Sequence, residues 1–286
     1  GAAFPTYKKI MSVIESDAKE KHLIVNGVEC DPGLIHDKWF LRKFPDEIYK
    51  GIEILCKCIK FDSVTLAVKE IKGLNYPKDL NIHKVQDYYP VGAERILVKK
   101  VLNRHLSHKT VPADEGILIL NVQTVYAVYN AVCKNIKADT RFLTAANIRE
   151  KTGAVVKVKL GSKVNEIMEA VYPQAGHVFL GGGLMQCRMA DDDDIIDRNT
   201  NFIAIADFPR YKESPLCSGC GLCASRCPVG LKVNKIAGLV DAGKLEKVQG
   251  MRAEKCMNCG SCSFVCLAGR NLSSRVKAAR EYCKKG

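Results

Sequence analysis

Two copies of one cysteine pattern near the C-terminus constrain this 286-residue chain more than any other feature. The first copy, CSGCGLCASRC, runs from Cys217 to Cys227, and the second, CMNCGSCSFVC, runs from Cys256 to Cys266. Each reads C-x-x-C-x-x-C-x-x-x-C, a spacing that lets one loop turn three thiolates toward the same iron–sulfur cube while the fourth cysteine leaves along a following helix. The two copies therefore predict a pair of [4Fe–4S] clusters.

The same spacing in two-cluster ferredoxins assigns the fourth cysteine of each motif to the other cluster. We therefore expect two crossed ligand sets and two clusters that lie close together. The first set is Cys217, Cys220, Cys223 and Cys266, and the second is Cys256, Cys259, Cys262 and Cys227.

Two other kinds of site use many cysteines. Paired structural zinc sites need only two C-x-x-C pairs and would leave four of these eight cysteines unexplained. A disulfide framework is typical of a small secreted domain, which this chain does not resemble. The spacing therefore favours iron–sulfur over zinc and over disulfides.

Composition limits the location and the partners of the chain. It has no signal-peptide pattern and no apolar run of about 18 residues, so we expect a cytoplasmic location, with peripheral attachment to a membrane complex still compatible. The net charge of +13 is offset in part by clusters of about −2 or −3 each and by any bound phosphate. The basic residues are spread along the sequence without a tract interleaved with aromatics, so we expect no nucleic-acid binding.

Before the cysteines, helical and strand-like segments alternate. Apolar residues at helical spacing predict a helix over 44–61, and a short apolar run predicts a strand over 63–70. The rhythm repeats as a helix over 92–106, a strand over 116–121 and a helix over 122–136. This alternation is typical of a layered α/β domain, to which we assign residues 1–142.

Two smaller domains are predicted to follow. Residues 143–208 shorten to strand, helix and strand, which suggests a β-grasp-like domain. Residues 209–286 hold both cysteine motifs, and the 28 residues between Cys227 and Cys256 are mostly helix-forming. The cluster domain is therefore expected to be helical.

The N-terminal stretch GAAFPTYKKI offers a candidate anion site. Small residues let backbone N–H groups approach a phosphate, and a loop that leads into a helix N-terminus favours negative charge. Lys9 would add a cation in the first turns. The same pattern is also typical of an ordinary turn, so the stretch alone leaves both interpretations open.

Three further motifs make the pattern specific. They are VNGVECDPGLIHDKW at 25–39, YYPVGAERIL at 88–97 and LNVQTVYAV at 120–128. With the N-terminal loop and the cysteine motifs, their order resembles the C subunit of the Rnf electron-transport complex and its soluble relatives over nearly the whole chain. The first two-thirds are also similar to the NADH- and FMN-binding subunit of respiratory complex I.

The resemblance implies a fold and a set of ligand contacts. It implies an α/β chain with a modified Rossmann-like FMN/NADH domain, a small β-grasp domain of the SLBB type and a C-terminal helical dicluster ferredoxin domain. Phe4, Asp31 and Glu94 would meet NADH, and turnover would depend on Glu94. FMN would be surrounded by Gly1, Lys9, Asn26, Glu29, Tyr89, Gly92, Asn121 and Thr124.

The chemistry of these cofactors is complementary. NADH gives up two electrons as a hydride, each cluster accepts one electron, and FMN converts between the two. We therefore expect an NADH-oxidising subunit that supplies a partner reductase. Because the chain ends soon after the second motif, we expect a soluble complex, for example of the methylene-tetrahydrofolate reductase or corrinoid reductase type.

Two alternatives stay open. Ala3 stands where the family usually has glycine and Asp31 where a longer Glu is frequent, so the chain could be an electron wire or docking subunit with a degenerate flavin site. It could also belong to a membrane Rnf ion pump.

Overall fold

The computed structural model describes residues 5–207 and 213–285. Gly1, Ala3 and Phe4 lie outside the described residues. The chain divides into two compact units, Gly1–Asp207 and Phe208–Gly286. The first unit contains two β-sheets, and the second is built from short helices around the cysteine motifs.

The first sheet is parallel, as the predicted βαβ alternation requires. Its spatial order is β3-β2-β1-β4. The strands are β1 (His22–Gly27), β2 (Ser63–Val68), β3 (Asn81–Lys84) and β4 (Ile117–Asn121), and the helices around them are α1 (Thr6–Ile14), α2 (His36–Lys43), α3 (Pro45–Cys58), α4 (Glu94–Leu102) and α5 (Val122–Lys134). The predicted helices at 44–61, 92–106 and 122–136 are thereby confirmed, with ends a few residues shorter.

Both faces of this sheet are covered. Leu23 and Val25 of β1 point into a core that includes α2, α3 and α5, whereas Ile24 between them points into a core that includes α4. Strands buried on both faces read as continuous apolar runs, which is why LIV in β1 and ILIL in β4 carry no polar residues. The α/β fold class is therefore confirmed.

The second sheet is mixed and has the order β6-β5-β9-β7-β8. Helix α6 packs on one face through Val164 and Met168. The sheet begins at Thr140, so its first strand spans the point at which the sequence divides the first two domains. Its elements are β5 (Thr140–Asn147), β6 (Thr152–Lys159), α6 (Val164–Val171), β7 (His177–Gly181), β8 (Arg188–Met189) and β9 (Phe202–Ala206).

The second unit is an internal repeat. Cys256 follows Cys217 by 39 residues, and the same offset relates its helices, which are α7 (Leu222–Ser225), α8 (Val233–Asp241), α9 (Ser261–Phe264) and α10 (Leu272–Lys285). Gly221 and Gly260, which precede α7 and α9, have φ of 75° and 76°. Only glycine adopts this conformation without strain. Within the ranges that the structure describes, no helix is long and apolar enough to cross a membrane.

Gly51→Ala should destabilise the first unit. Gly51 lies where α3 packs on α5, and an added Cβ would overlap the carbonyl oxygen of Val125 and lie 2.8 Å from its Cγ1. Forced overpacking costs about 1–3 kcal/mol. The matched control is Gly238→Ala in α8, where the added Cβ meets nothing within 4 Å. In urea unfolding, equal midpoints for the two variants would contradict this prediction.

Candidate functional site

The first sheet reverses its strand order at one place. The chain moves outward from β1 to β2 and β3, and then returns to the other side of β1 with β4. In open parallel sheets this reversal leaves a crevice beyond the carboxyl ends of the two strands, and ligands bind there. Asn26 near the end of β1 and Asn121 at the end of β4 are register partners. Both predicted asparagines therefore lie at the crevice.

Asn26 ties the crevice to the loop before α4. Its Nδ2 donates a hydrogen bond to the carbonyl of Gly92 at 3.0 Å, and its Oδ1 accepts one from the N–H of Val28 at 2.9 Å. Gly92 packs so closely that an added Cβ would lie 2.7 Å from the carbonyl oxygen of Val28. A side chain at position 92 would push the loop away from the strand, so this approach requires glycine.

Asn121 joins β4 to β1 and to α2. Its Nδ2 donates to Oδ2 of Asp37 at 2.9 Å and to the carbonyl of Asn26 at 3.4 Å. Its Oδ1 accepts from the N–H of Gln123 at 2.9 Å and thereby caps α5. Both amide hydrogens are engaged within the protein, so Asn121 has only carbonyl lone-pair capacity left for a ligand.

Glu29 is buried at the start of α2, with 9% of its surface exposed. Its Oε1 accepts from the N–H of Asp37 at 2.8 Å and its Oε2 from that of Lys38 at 3.4 Å, so the carboxylate caps the helix. Burial, followed by the nearby Asp37 carboxylate, raises the pKa of Glu29 to about 7. The charge on Glu29 therefore changes near neutral pH.

Two more titratable residues lie near Glu29 and Asp37, the buried His36 and the half-buried Arg141, and the sequence analysis did not single them out. His36 Nδ1 lies 3.0 Å from Thr144 Oγ1 in β5, and its Nε2 lies 3.6 Å from Asp37 Oδ1. Burial lowers the pKa of both His36 and Arg141, and Asp37 opposes the shift in each case. Asp37 lies in the first turn of α2, where acidic residues are favoured, but the sequence analysis predicted no helix there. The interaction of Arg141 with Asp37 depends on tertiary packing, so no local sequence pattern predicts it.

Asp31 and Tyr89 contact the 3₁₀ turn Leu184–Gln186 that belongs to the second sheet. Asp31 Oδ1 accepts from the N–H of Met185 at 3.1 Å, and Gln186 Nε2 donates to the Tyr89 hydroxyl at 3.2 Å. Burial raises the pKa of Asp31. Both residues thus help to hold the two sheets together.

Lys9 and Glu94 form an ion pair at the same edge. Lys9 Nζ donates to Glu94 Oε1 at 2.7 Å and to the carbonyl of Ile119 in β4 at 3.2 Å. Glu94 is the first residue of α4, where the helix dipole favours a carboxylate. The pair is partly exposed, with 29% of the Lys9 and 44% of the Glu94 side chain accessible.

The residues at the edge suit an anionic ligand with several polar groups. Lys9 supplies a cation, Asn26 and Asn121 supply amides, and Gly92 allows backbone to approach closely. This donor set fits a phosphate-bearing flavin. Thr124 is buried in α5, at 3% exposure. Gly1 and Phe4 lie outside the described residues, so their contacts stay predictions.

The second cysteine motif forms a pocket together with one cysteine of the first. Cys227, Cys256, Cys259 and Cys262 all line this pocket. Cys227 also lies within electrostatic range of Cys256 and Cys262. The four thiols thus surround one space, as a crossed ligand set requires.

The first motif shows part of the same arrangement. Cys217 and Cys220 lie within electrostatic range of Cys223. The N–H of Ser214 donates to the carbonyl of Ala268 at 3.0 Å, which brings the segment before the first motif beside the segment after the second. Among the described residues, no three His, Cys, Asp or Glu side chains could hold a single metal ion. Ligands of a cube need not converge in that way, because each thiolate binds a different iron.

Comparison with known families accounts for both ends of the chain. Residues 1–130 match the family described as the Nuo51 FMN-binding domain, and residues 210–283 match the 4Fe-4S dicluster domain. These matches confirm the predictions of FMN and of two [4Fe–4S] clusters as cofactors.

Curated relatives match most of the chain. It is 29% identical over 262 residues to the C subunit of the ion-translocating oxidoreductase complex of Rhodobacter capsulatus, a match that covers 86% of this chain and 50% of that protein. It is 24% identical over 294 residues to the C subunit of the Na(+)-translocating ferredoxin:NAD(+) oxidoreductase complex of Acetobacterium woodii, with 98% and 66% covered. The chain thus spans about half the length of the Rhodobacter protein.

A solved structure supports the fold. A chain of the NAD+-reducing [NiFe]-hydrogenase in the H2-reduced state matches with a TM-score of 0.63 and 15% identity, over 99% of this chain and 59% of that one. At this identity the similarity concerns the fold alone.

Glu29→Gln should change how stability depends on pH. The folded-state pKa of about 7 lies above the usual 4.5, so between these values the folded protein keeps a proton that the unfolded chain has lost. The resulting stabilisation is full below about pH 4.5 and is lost as the pH rises through 7. Glutamine stays neutral at every pH, so the variant should gain up to about 3 kcal/mol on wild type between pH 5 and 8.

Urea unfolding at the two pH values measures this difference. The matched control is Glu53→Gln on the exposed surface of α3, which should differ from wild type by the same amount at both pH values. Parallel pH profiles for wild type and Glu29→Gln would contradict the prediction.

Proposed function

We propose that this chain, an RnfC-like protein that joins a Nuo51 FMN-binding domain to a 4Fe-4S dicluster domain, oxidises NADH and passes the electrons to a partner redox protein. The observation that supports this most is the presence of both domains in one chain. Bound FMN supplies the conversion between a two-electron hydride donor and one-electron clusters. The protein binds, orients and shields the reacting groups.

Residues at the crevice would hold FMN. Lys9 would balance part of the phosphate charge, because its partly exposed ammonium is held against β4 by the carbonyl of Ile119. The Asn26 to Gly92 hydrogen bond fixes the loop that would border the ligand. Glu29 is buried next to that loop and can hold or release a proton near neutral pH. The remaining proposed FMN contacts are Gly1, Tyr89, Asn121 and Thr124.

Phe4, Asp31 and Glu94 would meet NADH. A partly exposed carboxylate such as that of Glu94 can accept hydrogen bonds from ribose hydroxyls. Lys9 and Glu94 pair with each other. A phosphate that binds Lys9 or a ribose hydroxyl that binds Glu94 would therefore have to replace this ion pair. Asp31 has one oxygen engaged by Met185, so only its other oxygen is available to the nucleotide.

The crossed ligand sets given above are our assignment for the clusters. The shared pocket of Cys227 with the second motif supports one set. The hydrogen bond between Ser214 and Ala268 supports the other, because it brings Cys266 toward Cys217.

The partner is either a membrane ion pump or a soluble reductase, such as one that acts on a methylene-folate or a corrinoid. The names of the curated relatives favour the ion pump.

Glu94→Gln should lower NADH turnover with an artificial dye about tenfold, or about 1.4 kcal/mol in the activation free energy. The change removes the carboxylate charge that faces Lys9 but keeps a hydrogen-bonding side chain of equal size. Iron content should not change. Glu53→Gln is the control, and equal turnover in both variants would count against the role of Glu94.

Cys227→Ser and Cys223→Ser should each cost one cluster, or about four of eight iron atoms. Cys227→Ser should remove the cluster of the second motif, although Cys227 belongs to the first, and EPR of the reduced protein distinguishes the two losses. Cys283→Ser is the matched control and should keep all the iron. Loss of the first cluster alone in Cys227→Ser would overturn the crossed assignment.

The function as a whole is tested by anaerobic titration with NADH, with FMN and iron measured on the same sample. We expect about one FMN and eight iron atoms per chain and bleaching of the visible spectrum by NADH. Full iron content without flavin or bleaching would overturn NADH oxidation and favour the electron-wire alternative.

A further inference from the structure

Three large apolar side chains of the second unit are almost fully exposed. Leu216 is 76% exposed, Phe264 is 74% exposed and Leu267 is 77% exposed, and we call these residues the apolar patch. Apolar side chains this exposed lose the free energy that burial would give them. They therefore need an explanation when they occur together.

The apolar patch lies beside the first cluster. Leu216 precedes Cys217, and Leu267 follows Cys266, the fourth cysteine assigned to the same cluster. The Ser214 to Ala268 hydrogen bond holds the two segments together. Phe264 is the last residue of α9, and Leu267 lies in the turn three residues later.

The internal repeat provides a comparison within the same chain. At the offset of 39 residues, Phe264 corresponds to Ser225 and Leu267 to Pro228, while Leu216 corresponds to Lys255. The fold therefore does not need apolar residues at these positions. They accumulate around one cluster only, and that cluster has its ligands Cys217 and Cys220 exposed to solvent.

We propose that the apolar patch is the docking surface for an acidic redox protein that exchanges electrons with the first cluster. The proposal rests on the proposed function and names the chemistry of its partner. The step transfers one electron from the reduced cluster to an oxidised centre of the partner, and no covalent bond or proton changes place.

Charge favours an acidic partner. Residues 213–286 contain 13 Lys and Arg but five Asp and Glu. Three of these carboxylates are already paired: Glu213 with Arg275, Asp241 with Arg270 and Arg275, and Glu281 with Lys277. Two clusters of about −2 or −3 each leave the unit positive. The electrostatic field of a positively charged unit steers an acidic protein to its surface, and contact with the apolar patch then holds the protein there.

The test uses a variant that the repeat itself suggests. Phe264→Ser and Leu267→Pro introduce the residues found at the equivalent positions 225 and 228, and Leu216→Ser removes the third apolar side chain without a change in charge. The control variant is Val111→Ser, Val132→Ser and Ile136→Ser, three exposed apolar residues of the first unit. Iron content and the EPR of the reduced clusters verify that each protein is intact.

Protein reduced with dithionite is mixed with oxidised flavodoxin, which is acidic, or with cytochrome c, which is basic. We expect the rate constant for flavodoxin to fall about tenfold or more in the patch variant, and to fall with added salt in wild type. It should stay within about twofold of wild type in the control variant, and no variant should change transfer to cytochrome c by more than about twofold.

Equal flavodoxin rates in wild type and the patch variant would overturn the proposal. So would a wild-type dimer that becomes monomeric in the patch variant by sedimentation velocity, since a second copy would then cover the patch. Dithionite bypasses NADH and the flavin, so a failure of NADH oxidation appears only in the NADH titration and is distinguished from a failure of docking.

Discussion

Two buried carboxylates at the start of α2 hold the crevice of the first sheet together. Glu29 accepts the first helical N–H groups, and Asp37 accepts the amide of Asn121 from the end of β4. Burial, and after it repulsion from the Asp37 carboxylate, raises the pKa of Glu29. Arg141 and the amides of Asn121 and Gln123 interact favourably with the Asp37 carboxylate. Truncating either side chain would remove the hydrogen bonds that tie α2 or β4 to the edge where the ligand is expected.

The second sheet depends on the same contacts. Thr144 of β5 contacts His36 and the N–H of Ile35, both at 3.0 Å, and the 3₁₀ turn before β8 contacts Asp31 and Tyr89. An added Cβ at Gly183 would overlap the Asp31 carboxylate. The segment from β1 to α2 is therefore a structural junction, in addition to its proposed role in ligand binding. If that role is correct, substitutions there will alter stability and ligand affinity together.

The sequence predicted the fold well where the signal was local. The apolar runs of β2 and β4, the helical spacing of α3 and the paired cysteine motifs all depend on neighbours in the chain. It could not show that Asp31 faces Met185, because residues 154 positions apart meet only through the packing of two sheets. The same holds for Arg141, whose partner Asp37 lies on another element. Motif resemblance named residues that the structure places at one edge of the sheet, Asn26 and Asn121 among them, but it did not separate candidate ligand contacts from structural ones.

Solvent exposure and existing hydrogen bonds distinguish candidate ligand contacts from structural ones. Asn121 and Asp31 have hydrogen-bonding capacity already committed inside the protein, and breaking those bonds would leave buried polar groups unpaired. Lys9 and Glu94 are bonded mainly to each other and remain partly accessible, and an exposed ion pair contributes little to stability. Exchanging that pair for contacts with an anionic ligand therefore costs little, whereas recruiting Asn121 or Asp31 costs a structural bond. Lys9 and Glu94 are accordingly the groups at this edge best able to respond to an arriving nucleotide.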